Sequence, residues 1–422
     1  MTASHQTVGP AHRIGIVSGV SLARNPRVLK EAATLAAAGF EVVVLGGGHE
    51  KLRLETDLSL AKRHGFSFQP VGLDDAGKTW RRASIFICRL KNRLVRTAHR
   101  FTGWESPLQL GNNIGELLRA AKAIEADYYL VHLEPGLWVG AGLLQAGFQV
   151  GIDIEDWYSE DLLPEARKER PVKLLRSLEA TLLREGAHST CTSQAMSDAL
   201  AKEYNCRPPA IIYNAFPWAD RQKLDGRLKD RKDPGIPSIH WYSQTLGQGR
   251  GLEDLLAALP YLKYPVEIHL RGSPAQGFNE WLQAHVPTPW LERVFTHGLV
   301  SNDELLSRIA EHDIGFAGEM KYCRSRDLTV TNKILHYLLA GLAVVASDTV
   351  GQCEISQQAG EAVRLYPSGN PPALAAQINA LLASSHELLS AKSAALAAAK
   401  RTFCWERQAP VLVASVENAL IH

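Results

Sequence analysis

Residues 329–348, Thr329 to Asp348 (TVTNKILHYLLAGLAVVASD), decide the fold of this chain. The stretch opens with polar side chains, continues with apolar residues at helical spacing, reaches Gly341, and ends in a β-branched run. This order predicts a loop, a helix and a buried parallel strand. In open α/β sheets ligands bind where helices begin after strands, because unpaired helix N–H groups favour anions. The junction therefore supplies candidate ligand contacts: Thr329, Thr331, Asn332 and Lys333.

Strands and helices alternate along all 422 residues and predict two domains. Buried strands at 13–18 and 40–45 flank a helix, which makes a parallel βαβ unit. The charged segment 221–237 ends in proline and glycine and predicts a linker. The expected fold is α/β, with two doubly wound Rossmann-like domains facing across a cleft. Its expected parts are an N-terminal domain (1–220), the linker (221–237), a C-terminal domain (238–400) and a C-terminal helical segment (401–422).

The composition is that of an ordinary globular protein, with 45% hydrophobic and 21% charged residues and a net charge of +2. It indicates neither a nucleic-acid partner nor a membrane. The six cysteines show no metal-ligand spacing, which predicts reduced thiols and no zinc site. We find no signal-peptide pattern and no apolar run of membrane-spanning length. The expected location is cytoplasmic, with any membrane contact peripheral and at the inner face.

A basic segment between the predicted third and fourth strands stands apart from this balance. From Lys78 to Arg100 there are eight basic side chains and no acidic one. Arginines and apolar residues both recur at helical spacing, which predicts a basic amphipathic helix able to lie on anionic lipid. The alternative is a core-packed helix with a solvated basic face. A nucleic-acid interface is a weaker interpretation, because no recognised motif is present.

Glycine-rich turns follow the first predicted strand of each domain. Gly19 follows the first strand, but its surroundings do not form a dinucleotide-binding G-x-G-x-x-G pattern. In the second domain, residues 247–251 (GQGRG) precede a helix, and three glycines around Arg250 permit tight turns and present a guanidinium group to a pyrophosphate. Gln244 and Arg271 end neighbouring predicted strands and are expected to face the same cleft.

Several short segments, in order along the chain, carry a family resemblance. Together they resemble retaining glycosyltransferases of the GT-B type, in the large, family 4-like group that includes sucrose synthase and mannosyltransferases of bacterial surface glycans. The resemblance covers nearly the whole chain. It implies that the last helix, after residues 403–406 (FCWE), returns to the N-terminal domain. The segments are 25–42, 127–132 (DYYLVH), 152–156 (IDIED), 190–193 (TCTS), 212–215 (IYNA), 249–253 (GRGLE), 270–272 (LRG) and 332–345.

The resemblance implies roles for individual residues. Arg250 is expected to contact the donor diphosphate, with Gln244 where a second cation is common. The backbones of Gly19 and Gly249 are expected near the same phosphates. His132 is expected to reach the donor sugar, although from the sequence alone it is a histidine that closes a buried strand. The donor side is expected to include Arg271, Thr329, Thr331, Asn332 and Lys333.

The chain departs from the family where two glutamates, separated by seven residues, commonly hold the sugar and the ribose. Leu328 and His336 occupy these positions. A histidine can accept a hydrogen bond from a ribose hydroxyl, but leucine cannot replace a carboxylate. Either Glu319 or Asp327 takes the missing role through a different loop path, or the site favours another donor.

The expected activity is transfer of a sugar from a nucleotide diphosphate sugar to a hydroxyl acceptor with retained configuration. The expected acceptor is a glycan or lipid-linked saccharide of surface polysaccharide synthesis. Arg250 and helix N-termini would stabilise the leaving diphosphate. We expect no metal and no cofactor besides the donor, and no nucleic-acid partner; an anionic membrane surface is a candidate partner through Lys78 to Arg100. Two alternatives stay open: a nucleotide-sugar epimerase, and an inactive glycosyltransferase-like partner protein suggested by Leu328 and His336.

Overall fold

The structure is a computed structural model that describes residues 12–47, 51–72, 90–91, 93–111 and 113–421. The chain divides into two compact units. The first comprises residues 1–191, 197–212 and 409–422, and the second comprises residues 192–196 and 213–408. The domain boundaries predicted from the sequence stay predictions.

The first unit contains a seven-stranded parallel sheet with the order β3-β2-β1-β4-β5-β6-β7. The inner strands are almost wholly buried, which explains their continuous apolar sequences. The strand order reverses where β1 pairs with β4. In doubly wound sheets, ligands bind at such a reversal, beyond the carboxyl ends of the strands. The strands are β1 (Arg13–Val17), β2 (Glu41–Gly47), β3 (Ser67–Val71), β4 (Tyr128–His132), β5 (Val150–Ile154), β6 (His188–Cys191) and β7 (Ala210–Ile211).

Helices alternate with these strands. The first is capped by Asn25, whose side chain accepts from the Val28 N–H, and Pro26 occupies its first turn. Helical residues at 90–91 and 93–102 form what we call the basic helix. The remaining predicted basic residues at 78–89 lie outside the described part. The labelled helices are α1 (Pro26–Ala37), α2 (Lys51–His64), α3 (Ile114–Ala123), α4 (Leu133–Leu144), α5 (Pro164–Arg167), α6 (Val172–Glu185) and α7 (Gln194–Tyr204).

The second unit contains a six-stranded parallel sheet with the order β10-β9-β8-β11-β12-β13. Its order reverses between β8 and β11. The strands are β8 (Ser238–Leu246), β9 (Glu267–Pro274), β10 (Val294–His297), β11 (Ile314–Ala317), β12 (Ala343–Ser347) and β13 (Val363–Tyr366). The helices from this region onward are α8 (Leu252–Ala258), α9 (Phe278–His285), α10 (Asn302–Ala310), α11 (Arg324–Leu328), α12 (Asn332–Ala340), α13 (Val350–Ala359), α14 (Pro371–Leu382), α15 (Ser385–Arg401) and α16 (Trp405–Ile421).

The stretch 329–348 has the predicted structure. Helix α12 follows the polar loop and ends at Gly341, whose φ of +82° is a left-handed conformation that favours glycine. Strand β12 follows, fully buried between β11 and β13. The predicted fold class, two doubly wound Rossmann-like domains, is confirmed.

No helix among the described residues has both the length and the apolar character needed to span a membrane. None of the five cysteines in the described part forms a disulfide.

Candidate functional site

The candidate site of the second unit lies at the carboxyl edge of its sheet. The glycine-rich loop 247–251 connects β8 to α8. Gly249 and Gly251 have φ values of +73° and +82°, where a side chain would be strained. A Cβ atom on Gly251 would lie 2.6 Å from the carbonyl oxygen of Gly318, so the loop packs directly on the residues that follow β11. The glycines thus hold this loop against the neighbouring strand end.

Arg250 presents its guanidinium group from this loop. The side chain is exposed, and its Nη1 atom donates to the Ser243 hydroxyl at 3.3 Å. Among the described residues no carboxylate lies within 4.0 Å of the Arg250 guanidinium, which leaves its charge available to an anion. Gln244 is also exposed, near the end of β8. The structure therefore brings the predicted Arg250, Gln244 and Gly249 to one strand end.

Glu319 and Lys333 form an ion pair at the same edge. Glu319 follows β11 and is 8% exposed, and its carboxylate contacts the Lys333 ammonium in the first turn of α12. The Lys333 ammonium also lies 5.7 Å from the centre of the Trp241 ring. The Glu319 backbone N–H donates to the Ser347 hydroxyl at 2.8 Å, which fixes this loop to the end of β12.

Asp327, the other carboxylate considered in place of Leu328, contacts helix α13 and not Lys333. The Asp327 side chain accepts from the Val350 N–H at 3.1 Å and so caps the start of α13. Of the two carboxylates considered in place of Leu328, Glu319 is the one next to Lys333 and the glycine-rich loop.

The hydroxyl groups of the loop before α12 differ in their contacts. The Thr329 hydroxyl donates to the Ser325 carbonyl at 2.7 Å and is used within the loop. Thr331 is the N-cap residue of α12, but its buried Oγ1 atom has no hydrogen-bond partner in the described structure. Asn332 is exposed in the first turn. A buried hydroxyl without a partner is costly, and a bound ligand would satisfy it.

His336 is held by two aromatic side chains that the sequence did not indicate. Its Nδ1 atom lies 2.7 Å from the Tyr242 hydroxyl, and its ring stacks on Phe216 with centroids 3.4 Å apart. Burial raises the pKa of Tyr242, so the phenol stays protonated in its hydrogen bond with Nδ1. Contact between His336 and a ribose hydroxyl stays a prediction.

Arg271 of β9 has its guanidinium group paired with other residues of the second unit. Arg271 is 3% exposed, and its Nη1 atom donates to the Gly298 carbonyl at 2.6 Å. Its Nη2 atom pairs with Asp230. The guanidinium group therefore binds within the unit, and its contact with the donor stays a prediction.

In the first unit, Gly19 has the backbone conformation expected of a tight turn, with φ of +69°. Its N–H, which the sequence assigned to phosphate, donates to the Leu45 carbonyl at 3.4 Å. A Cβ atom here would lie 3.1 Å from Cβ of Pro135. The glycine therefore allows the close packing of this turn.

His132 lies inside a buried ionic cluster at the end of β4, together with Arg27, Glu31 and Asp153. Its Nε2 atom is 3.0 Å from Glu31 and its Nδ1 atom is 3.3 Å from Asp153. Arg27 donates to both oxygens of Asp153 at 2.5 and 2.6 Å. Burial alone would lower the pKa of His132, but the Glu31 and Asp153 carboxylates raise it well above its usual range.

The buried cluster of Arg27, Glu31, His132 and Asp153 concerns two predictions, the role of His132 at the donor and the absence of a metal ion. His132 is 1% exposed with both ring nitrogens directed at carboxylates, so its role at the donor sugar stays a prediction. Glu31, His132 and Asp153 have ligand atoms within 4.8 Å of one another, a set that suits a metal ion. The Arg27 guanidinium already supplies positive charge to the two carboxylates.

Residues 239–384 match the family model described as glycosyl transferases, group 1. This range holds the second sheet from β8 to β13 with its glycine-rich loop. No curated protein sequence matches the chain.

Solved structures match almost the entire chain in fold. Sucrose-phosphate synthase from Thermosynechococcus elongatus superposes with a TM-score of 0.70 at 14% identity, over 97% of this chain and 99% of that chain. The Anabaena protein HepE in complex with UDP gives 0.66 at 17% identity, over 96% and 99%. A putative UDP-N-acetylglucosamine 2-epimerase from Listeria monocytogenes gives 0.57 at 12% identity, over 97% and 96%. At these identities the similarity establishes the fold, and the predicted resemblance to GT-B glycosyltransferases is confirmed at that level.

Proposed function

We propose that this chain, which has the GT-B fold and a second unit matching the group 1 glycosyltransferases, transfers a sugar from a nucleotide diphosphate sugar to a hydroxyl acceptor with retention. The observation that carries the proposal is the exposed Arg250 guanidinium on a glycine-rich loop at the carboxyl edge of the sheet. A diphosphate bound there would meet a charge that no carboxylate of the described residues neutralises.

The proposed step breaks the bond between the sugar anomeric carbon and the diphosphate oxygen. The acceptor hydroxyl oxygen forms the new bond to that carbon, and its proton passes to the diphosphate. Negative charge grows on the leaving diphosphate, where Arg250 stabilises it more strongly in the transition state than in the bound donor. A glycine-rich loop packed on Gly318 positions that charge before the reaction begins.

Glu319 is our candidate for the carboxylate that holds the sugar. Its pairing with Lys333 fixes the side chain, and the partnerless Thr331 hydroxyl supplies a further polar group in the same loop region. A carboxylate accepts hydrogen bonds from sugar hydroxyls, which Leu328 cannot do. This arrangement favours an active transferase over an inactive partner protein.

The donor to test first is UDP-glucose, because HepE, which has the same fold, has structures with UDP and with UDP-glucose. Isothermal titration calorimetry of the full chain with UDP tests the Arg250 site. We expect Arg250→Ala to weaken UDP binding by about tenfold or more, since a charge-assisted contact to phosphate is lost.

Arg227→Ala is the matched control, because Arg227 is an exposed arginine of the same unit outside the glycine-rich loop. It should leave UDP binding unchanged. Failure of UDP, GDP, ADP and dTDP alike to bind would contradict the proposal, and so would equal affinities of the two variants.

An epimerase is the second candidate, favoured by the fold similarity to the Listeria epimerase. Incubation with a UDP-sugar and no acceptor separates the two activities. An epimerase changes the sugar configuration under these conditions, whereas a transferase needs an acceptor.

The finer proposal for the acceptor is a lipid-linked saccharide or a glycan of surface polysaccharide synthesis, reached from an anionic membrane surface. The basic helix supports a membrane partner. Leu94 and Phe101 are 61% and 82% exposed there, beside the exposed Arg93, Arg96 and Arg100. Apolar side chains would enter the lipid interface while the arginines contact anionic headgroups.

A further inference from the structure

The loop before α12, which holds the candidate sugar contacts, starts from the last carbonyl group of α11. This carbonyl belongs to Leu328, and it accepts a hydrogen bond from the Ser193 hydroxyl at 2.6 Å. The distance is that of a well-formed O–H···O hydrogen bond. Ser193 is fully buried and lies 135 positions earlier in the chain. A side chain distant in sequence therefore holds the loop at the point where it leaves α11.

The Ser193 hydroxyl can make this bond because its hydrogen is not needed by its own helix. Ser193 directly precedes α7, and its Oγ atom accepts from the Met196 N–H at 3.0 Å, as an N-cap residue does. A hydroxyl donates one hydrogen and accepts through two lone pairs, so both bonds form at once. Together they fix the orientation of the side chain, with its hydrogen directed at Leu328.

Glu354 of α13 holds the same helix start. One oxygen of its carboxylate accepts from the Gln194 N–H at 2.8 Å and from the Ala195 N–H at 3.3 Å. A carboxylate at this end of a helix satisfies N–H groups that have no partner within the helix and interacts favourably with the helix dipole. Residues 192–196 belong to the second unit, whereas the rest of α7 belongs to the first. Ser193 is thus anchored in the same unit as the loop that it contacts.

Helix α13 also packs directly on the loop. A Cβ atom on Gly351 would lie 2.5 Å from the Thr329 carbonyl oxygen and 2.7 Å from that of Leu328, so no side chain fits between this helix and the loop. Thr329 and Val330 are themselves buried. The loop is therefore confined by α13 and fixed in direction by the hydroxyl of Ser193.

We propose that Ser193 is a positioning residue for sugar transfer, and that its hydrogen bond to Leu328 sets the place of residues 329–333 against the bound donor. This inference rests on the proposed function. The loop leads into the N-terminus of α12 and to Lys333, which holds Glu319. Ser193 acts through the loop backbone and does not touch the donor. A displacement of about 1 Å in such a loop lowers the rate by about a hundredfold.

Kinetics of the full chain with UDP-glucose test this inference, with water as the acceptor and UDP release as the signal. GDP-, ADP- or dTDP-glucose replaces UDP-glucose if its nucleotide binds more tightly than UDP. We expect Ser193→Gly to lower kcat/KM by about tenfold to a hundredfold. Glycine is tolerated at helix N-caps, so this variant removes the hydroxyl with little effect on α7.

Calorimetry gives a second measurement that does not need turnover. Ser193→Gly should bind UDP-glucose more weakly than the wild type does. Its affinity for UDP should be nearly unchanged, because UDP lacks the sugar that the loop would hold. Retained UDP binding also shows that the variant is folded.

Ser197→Ala is the matched control. Ser197 of α7 is also buried, and its hydroxyl donates to the Pro209 carbonyl at 2.7 Å. The variant loses the same type of hydrogen bond outside the donor loop, so it should lose stability in urea unfolding and retain its kcat/KM. Ser193→Thr, which keeps a hydroxyl at the N-cap, should be more active than Ser193→Gly.

The inference is overturned if Ser193→Gly equals the wild type in kcat/KM and in UDP-glucose affinity, or if Ser197→Ala loses as much activity as Ser193→Gly. Equal activity of Ser193→Thr and Ser193→Gly would also overturn it. These results leave the proposed function intact, because the wild type is active in each. A wild type that binds none of the nucleotides or their sugars overturns the proposed function, and this inference with it.

Discussion

The Lys333 ammonium pairs with the Glu319 carboxylate, fourteen positions earlier in the chain, and this contact joins the end of β11 to the start of α12. Both side chains are mostly buried, with 14% and 10% exposure. An ion pair shielded in this way is stronger than one on an open surface. It fixes a carboxylate at the carboxyl edge of the second sheet.

Replacing Glu319 tests its assignment to the sugar. We expect Glu319→Gln to lower kcat/KM for the sugar donor by about tenfold to a hundredfold, because hydrogen bonds from sugar hydroxyls to a charged acceptor are lost. UDP binding should change much less, since UDP has no transferred sugar. Steady-state kinetics and calorimetry measure the two effects.

Asp327→Asn is the matched control for the carboxylate. Asp327 caps α13, so this variant should lose up to about 1 kcal/mol of stability and retain its kcat/KM. If Asp327→Asn loses activity and Glu319→Gln does not, the roles assigned to the two carboxylates are wrong.

Substitution of His336 tests whether it acts at the donor or only in packing. His336→Ala removes both the hydrogen-bond partner of Tyr242 and the ring that stacks on Phe216. His336→Phe retains an aromatic ring for stacking but removes the nitrogen. We expect both variants to raise the KM for donor, and His336→Phe to keep more of the unfolding free energy. An unchanged KM in His336→Phe would remove His336 from the donor site.

The regular elements were predictable because each depends on local sequence. Helical spacing at Ile334, Leu335 and Leu338, a glycine at 341 and a β-branched run specify α12 and β12 without reference to the rest of the chain. The Arg250 loop was recognisable for the same reason, because glycines beside a strand end restrict the backbone locally.

Side-chain partners distant in sequence could not be predicted in the same way. Arg271 is expected to end its strand, but β9 continues to Pro274, and Asp230, in the segment predicted as a linker, binds the Arg271 guanidinium group. Arg231 of the same segment is 5% exposed and pairs with Glu267 at 3.3 Å. A charged composition predicts solvent exposure, whereas here charges from separate segments neutralise one another. Such pairings depend on packing that periodicity does not encode.

The basic helix should bind anionic vesicles. We expect the chain to co-sediment with vesicles containing phosphatidylglycerol but not with pure phosphatidylcholine, and the binding to weaken as salt increases. Replacing Arg93, Arg96 and Arg100 together by glutamine should abolish it, because each charge near the surface contributes about 1 kcal/mol.

A control variant with the same change in net charge shows whether vesicle binding depends on the basic helix or only on the net charge of the protein. Lys62, Arg63 and Arg119 are exposed basic residues of the same unit outside the basic helix. Replacing these three by glutamine should leave vesicle binding intact. Equal binding by both triple variants would contradict a membrane role for the basic helix.

Four histidines in the second unit, of which three are buried and His297 is partly exposed, should make the protein sensitive to acid. His240 stacks on His312 with centroids 4.6 Å apart, and Nδ1 of His269 lies 3.0 Å from Nε2 of His297. Burial lowers the pKa of each, that of His269 to about 4. The unfolded chain therefore binds protons below a pKa of 6.5 that the folded chain does not. The unfolding free energy should fall as pH drops from 6.5 toward 4, by about 1.4 kcal/mol per pH unit for each titrating histidine.

His240→Phe should reduce this acid sensitivity. Both ring nitrogens of His240 lack hydrogen-bond partners in the described structure, so phenylalanine removes a titrating group without breaking a hydrogen bond. Urea unfolding at several pH values should give a smaller slope for this variant and similar stability at neutral pH. Glu31, whose pKa burial raises, acts in the opposite direction but is present in both proteins. An identical slope would exclude His240 from the acid response.

Arg27 should be essential for stability because it neutralises buried carboxylates. Its side chain is fully buried and pairs with Asp153 and Glu31. Arg27→Met leaves His132 as the one cation beside them in the described cluster, and we expect the free energy of unfolding, measured in urea, to fall by about 3–5 kcal/mol.

The same change leaves Glu31, His132 and Asp153 arranged as ligands, so Zn²⁺ should raise the Tm of Arg27→Met. In the wild type, neither Zn²⁺ nor EDTA should shift the Tm, because the guanidinium group already supplies the positive charge. A wild-type Tm that falls in EDTA would show instead that the cluster holds a metal ion alongside Arg27.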